Sequence, residues 1–189
     1  MNEVFAAAVE VQDYLLNKGW KFSIIGGVAL ARWGQPRTTA DVDFTLLTGF
    51  GSEESFIDEL LNRFASRIPD AKEFSLRNRV LLLKASNGVG IDVALGALPF
   101  EENLTERASK FDYGRKVSLM TASAEDMIIL KSFASRPQDW IDVEGIIVRQ
   151  QQNLDWELIL TELQPLCELK ESPETIDRLL QLRDSLTAE

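Results

Sequence analysis

Apolar positions recur at helical spacing over residues 3–16, where Phe5, Ala6, Val9 and Leu16 are expected to form the inner stripe and Gly19 to stop the helix. Phe22-Ser23-Ile24-Ile25 then reads as a short buried strand, ended by Gly26-Gly27. Val28 to Trp33 reads as a short helix closed by Gly34, and Gln35-Pro36-Arg37-Thr38-Thr39 as a loop. Residues 41–47, Asp-Val-Asp-Phe-Thr-Leu-Leu, suit a strand whose alternation places Asp41, Asp43 and Thr45 on one face. An amphipathic helix is expected from Ser52 to about residue 67, with Phe56, Leu60 and Phe64 inward.

Residues 79–85 and 90–95 form two further strand-like runs. Ser86-Asn87-Gly88 lies between them, and Asn-Gly is a hairpin signal. A helix near residues 100–109 and a strand near 116–120 follow. From Ser123 onward the pattern is helical throughout. Ser123 caps a helix, with Asp126 at the acidic position of a capping box. Pro137 opens the next helix, residues 156–166 make another, and Ser172-Pro173 introduces the last. Two domains are therefore expected: a mixed α and β part over residues 1–120 and a helical part over 121–189.

Composition narrows the chemistry. Hydrophobic residues make up 45% of the 189, as in an ordinary globular protein. No apolar run is long enough to span a membrane, and no basic residue precedes the apolar residues 4–9, as a signal peptide would require. A cytoplasmic location is the expectation. Histidine is absent, which removes Ser-His-Asp triads and imidazole metal sites. The only cysteine, Cys167, reads as a packing thiol, and internal disulfides and thiolate cages are excluded. Lys and Arg total 20 against 30 Asp and Glu, a net charge of −10. That balance disfavours nonspecific nucleic-acid binding and suits a protein that gathers cations.

The informative stretch is Gly26-Gly27, thirteen residues, then Asp41-Val42-Asp43. Gly-Gly between a strand and a helix lets the backbone approach a phosphate, with the helix N-terminus adding partial positive charge. Asp-x-Asp on a strand presents two carboxylates on one side, and these repel unless a cation joins them. Such hard oxygen ligands suit Mg²⁺ or Mn²⁺. Asp92, between Ile91 and Val93 in another strand, needs a partner in so apolar a run, and an adjacent strand could bring it beside Asp41 and Asp43.

In this order, the elements resemble the nucleotidyltransferase superfamily of the DNA polymerase β type. The run from Gly26 to Leu30 and the run Arg37-Thr38-Thr39-Ala40-Asp41-Val42-Asp43 are similar to small bacterial members, including aminoglycoside nucleotidyltransferases and AbiE-type toxins. Ser123 to Lys131, followed by Ala134, Arg136, Asp139 and Asp142, looks like the helical segment of the AbiE-type group. The resemblance implies an α+β fold: a mixed sheet flanked by helices, with a helical C-terminal subdomain.

It also implies metal-dependent transfer of a nucleoside monophosphate from an NTP to a hydroxyl. Asp41, Asp43 and Asp92 would be catalytic and hold Mg²⁺ or Mn²⁺. Gly26, Gly27, Arg37, Thr38 and Lys131 would meet the nucleotide, with Asp139 in a slot for which Asp142 competes. Lys131 can equally be read as a snorkelling surface lysine, and Arg136–Asp139 as a helix-surface ion pair. The resemblance implies as acceptor an RNA end, such as that of tRNA, or a small molecule. An antitoxin partner fits the toxin-like branch, and neither DNA nor a membrane is expected as a partner. Gly27 stands where many members carry Ser. A catalytically inactive module that acts by partner binding is therefore the alternative.

Overall fold

The computed structural model describes residues 3–187; residues 1–2 and 188–189, at the ends of the two expected domains, lie outside the described residues. In chain order the elements are α1 (Glu3–Asn17), β1 (Phe22–Ile25), α2 (Gly26–Trp33), β2 (Asp41–Leu47), α3 (Glu53–Arg63), β3 (Ala65–Ser66), α4 (Ala71–Asn78), β4 (Val80–Lys84) and β5 (Gly90–Gly96). They continue with α5 (Pro99–Arg107), β6 (Ser109–Asp112), β7 (Ser118–Thr121), α6 (Ala124–Ala134), α7 (Pro137–Gln150), α8 (Trp156–Lys170) and α9 (Glu174–Thr187). Two compact units divide the chain: Met1–Ala29 with Thr38–Ala122, and Leu30–Arg37 with Ser123–Glu189.

The first unit is built on a mixed sheet, whose order among the described residues is β3-β4-β5-β2-β1-β7-β6. β2 pairs with β5 and β1 with β7 in parallel, and the remaining neighbours are antiparallel. Alternation along β2 sends Val42, Phe44 and Leu46 into the core. They meet Ile91, Val93 and Leu95 of β5 and Leu81 and Leu83 of β4, covered by α1 and α3. The opposite parity of β2 and β5 carries Asp41, Asp43 and Asp92, all half-buried. The hairpin between β4 and β5 forms where Asn-Gly signalled it, with Gly88 at φ +84°.

Two expectations change, and three elements were not foreseen. The α1 stripe that enters the core is Val4, Ala7, Ala8, Val11 and Leu15, and Leu16 is exposed. α1 is apolar on more than one side, so periodicity alone did not select the face that packs. α3 ends at Arg63 instead of near 67, because Phe64 turns extended (ψ 144°) and feeds the two-residue strand β3. α4, β3 and β6 had no clear apolar pattern to announce them.

The second unit consists of α6 to α9 together with the end of α2 and its following loop. Ser123 caps α6 by accepting the Asp126 N–H at 3.1 Å, and Pro137 opens α7, both as expected. Gly34 packs against Leu30 and Ile146, while Arg149 Nη1 donates to Gly34 O at 2.6 Å and Gln150 Nε2 to Trp33 O at 2.7 Å. α7 thus fixes the chain that leaves α2. Among the described residues no helix is long and apolar enough to cross a membrane.

Phe44 is fully buried at the middle of the sheet. Its replacement by Ala is expected to cost about 3–5 kcal/mol of folding free energy, measured by urea denaturation.

Candidate active site

β2 and β5 run parallel and in register, with Asp43 opposite Asp92 and Asp41 opposite Gly90. Partners across a ladder share a face of the sheet, so all three carboxylates stand on the side away from the α1-covered core. Gly26, immediately after β1, lies against this group. It adopts φ +62°, and a Cβ there would run into the Asp43 carboxylate. Only glycine meets both demands, a left-handed backbone and a bare Cα against a charged side chain. α2 begins at this residue, so its first-turn N–H groups and positive dipole end start beside Asp43.

Gly27 is explained by a different neighbour. A Cβ at position 27 would lie 2.7 Å from both Cβ and Oγ1 of Thr39. The Thr39 hydroxyl donates towards Asp41 Oδ1 at 3.2 Å and lies 3.3 Å from Asp41 O. A threonine that steadies Asp41 thus fills the space a serine side chain at 27 would need. Thr38, the residue singled out from sequence, is exposed. Thr39 had a readable signal: in an extended chain it shares the parity of Asp41 and Asp43.

A second side chain escaped sequence reading altogether. Arg67 pairs with Asp92 through Nη2 and Oδ1. Burial raises the Asp92 pKa, the Asp41 charge adds to the rise, and Arg67 opposes it, leaving the net shift upward. Among the described residues no three acidic or thiol side chains are gathered closely enough to hold one metal ion together as they stand. The donor set nonetheless fits Mg²⁺ or Mn²⁺ by its chemistry: hard carboxylate oxygens at adjacent register positions, beside a close backbone turn.

The remaining candidates lie in the helical unit. Lys131 is buried, not a surface lysine, and donates to Asp142 at 2.5 Å and Asp139 at 3.3 Å. Arg37 Nε donates to Asp142 Oδ1 at 3.3 Å, and Gln138 Nε2 to the same oxygen at 3.2 Å. Asp139 also accepts the Arg136 backbone N–H at 3.2 Å, capping α7. Asp139 and Asp142 are both buried, and both belong to this one cluster. Burial acts to raise the Asp142 pKa, but the hydrogen bond and charge of Lys131, with Gln138 and Arg37, hold it below the usual carboxylate range.

The chain matches, over residues 1–175, the model of a family described as "Nucleotidyltransferase of unknown function (DUF6036)". The chain belongs to that family. No curated protein matches it. Among solved structures it is similar to an antigenic nucleotidyltransferase-like protein from Paracoccidioides brasiliensis, at 13% identity and a TM-score of 0.54, covering 100% of this chain and 98% of that one. It is similar also to the antibiotic-resistance factor ANT(2'')-Ia, at 15% identity and a TM-score of 0.52, covering 92% and 96%. Both likenesses are of fold. The mixed sheet with flanking helices expected for a nucleotidyltransferase-like chain is the architecture observed.

Two outcomes follow from this geometry. Gly26→Ala costs about 1–2 kcal/mol from backbone conformation alone and displaces the Asp43 carboxylate; denaturation midpoints and Mn²⁺ binding should both fall. Asp142 has a depressed pKa in the folded protein, so its stabilisation is present above the unfolded carboxylate value and is lost as pH falls through the folded one. Asp142→Asn should therefore cost about 3 kcal/mol at pH 7, and its deficit should shrink as pH falls from roughly 4, where the unfolded carboxylate protonates, through the lower pKa of the folded group. Tryptophan fluorescence during urea denaturation at stepped pH measures both.

Proposed function

We propose that the protein transfers a nucleoside monophosphate from an NTP to a hydroxyl of a cationic small molecule, releasing pyrophosphate. The observation that carries this reading is the row of carboxylates, Asp43 opposite Asp92 with Asp41 two residues away, set against the Gly26 turn. Asp41, Asp43 and Asp92 would hold Mg²⁺ or Mn²⁺, which when bound offsets charge on the triphosphate and steadies the attacking oxygen. Gly26 and Gly27, at the start of α2, would let the phosphates approach the backbone. Thr39 keeps Asp41 oriented through its hydroxyl.

Asp92 would accept the proton of the acceptor hydroxyl. The new bond joins that oxygen to the α-phosphorus, the bond from the α-phosphorus to the bridging oxygen breaks, and pyrophosphate departs. A carboxylate whose pKa is raised by burial and by the Asp41 charge is a better base for this than an ordinary one. The net charge of −10 would draw in a polycationic acceptor and repel an RNA end. Of the solved structures with this fold, ANT(2'')-Ia is an antibiotic-resistance factor, which supports a small-molecule acceptor here.

The test is incubation with each NTP labelled at the α-phosphate, Mg²⁺, and either a panel of amino-sugar antibiotics or total cellular RNA. Label on an amino sugar is the expected result. Label on RNA alone would move the acceptor to the toxin-like class. An absence of both transfer and calorimetric NTP binding would leave the non-catalytic module. Asp43→Asn should abolish transfer with an unchanged circular-dichroism spectrum, since it removes a proposed cation ligand and no core contact.

A further inference from the structure

Arg67 follows β3 and continues its register: its backbone N–H donates to Leu82 O at 3.0 Å. Leu82 faces Asp92 across β4 and β5, and Asp92 faces Asp43 across β5 and β2. Arg67 therefore stands at one end of a row that ends on the acids, two strand spacings of about 4.8 Å from Asp92. A long side chain is needed to cover that span. The guanidinium arrives beside Gly90, the register partner of Asp41. A Cβ on Gly90 would lie 2.9 Å from Arg67 Nη1 and 3.5 Å from Asp41 Cβ. The bare glycine thus leaves room for a positive group among Asp41, Asp92 and the sheet.

That group is incompletely satisfied. Arg67 Nη2 donates to Asp92, but the buried Nε has no hydrogen-bond partner. A guanidinium held only for structure would be expected to use its fork, since an orphaned buried donor costs about 1–3 kcal/mol. The pair is also reachable, because the Arg67 and Asp92 side chains are 27% and 31% exposed. An ion arriving from solvent can compete for Asp92.

We infer that Arg67 is a displaceable counter-cation of the acid row: it occupies Asp92 while no divalent ion is bound, and a divalent ion must take that carboxylate from it. This rests on the reading of Asp41, Asp43 and Asp92 as cation ligands. Arg67 is a positioning residue, acting on the cation through Asp92. Its presence keeps two neighbouring carboxylates from facing each other without compensation, and holds down the affinity of the free site for divalent ions.

The experiment measures Mn²⁺ binding to the full chain without nucleotide, by electron paramagnetic resonance of free Mn²⁺. Arg67→Gln removes the charge and should tighten the Mn²⁺ Kd by about fivefold, the equivalent of one partly exposed ion pair. Arg67→Lys should stay within about twofold of wild type, because the charge is kept. The tightening should vanish when Arg67→Gln is combined with Asp92→Asn, as a double-mutant cycle requires. A merely structural Arg67 gives lower thermal stability with an unchanged or weaker Kd in Arg67→Gln, and that overturns the inference alone. Wild-type protein and Arg67→Gln that both bind no Mn²⁺ overturn it together with the reading of the acids as cation ligands.

A second measurement needs no folded Gln variant. Nitrogen-detected NMR of the wild-type arginine side chains, with Arg67 assigned by Arg67→Lys, should show hindered rotation of its guanidinium that Mg²⁺ releases. Hindrance that persists at saturating Mg²⁺ overturns the inference.

Discussion

The parallel pairing of β2 with β5 is the constraint on which the site depends. Its register sets Asp43 against Asp92 and Asp41 against Gly90, and a slip of one residue would send the carboxylates of the slipped strand to the covered face. Buried apolar side chains prevent that slip. Val42, Phe44 and Leu46 alternate with the acids on β2, and Ile91 and Val93 flank Asp92 on β5. The hydrophobic effect therefore holds like charges side by side, at a cost that the core covers. Burial is the main cause of the upward pull on Asp92, the Asp41 charge adds to it, and Arg67 reduces but does not cancel it.

Close backbone approach is the second theme. Gly26, Gly27 and Gly90 border the same acids, and each is bare for a different neighbour: the Asp43 carboxylate, Thr39 and the Arg67 guanidinium. The departure from serine at position 27 is thus a steric consequence of Thr39. In the helical unit electrostatics take another form. Lys131 sits between Asp139 and Asp142, with Arg37 drawn to the same carboxylate. Four charged side chains, two of each sign, balance there, and this joins α6, α7 and the loop after α2 into one ionic knot.

Much of this could be read from the chain. The β2 and β5 strands were visible because their apolar positions alternate around lone acids, and the hairpin because Asn87-Gly88 demands its turn. The capped starts of α6 and α7 were visible in Ser123 and Pro137. The inner face of α1 was not, since alanines and valines surround that helix and only packing selects among them. Arg67 was hidden for a stronger reason. It precedes Asp92 by 25 residues, just after an edge strand of two residues that carries no pattern, and only the sheet order brings the two together. The burial of Lys131 was invisible because its two acidic partners lie on the next helix.

The sheet order has one more consequence. Its two outer strands are β3, two residues long, and β6, four residues with Lys110 and Asp112 on it. An open sheet edge is a template on which another polypeptide can add a strand, and brevity with charge is how such templates are blunted. The long, apolar strands β2 and β5 lie inside, where both flanks are taken. In concentrated solution this arrangement guards the protein against stacking edge to edge into fibrous aggregates.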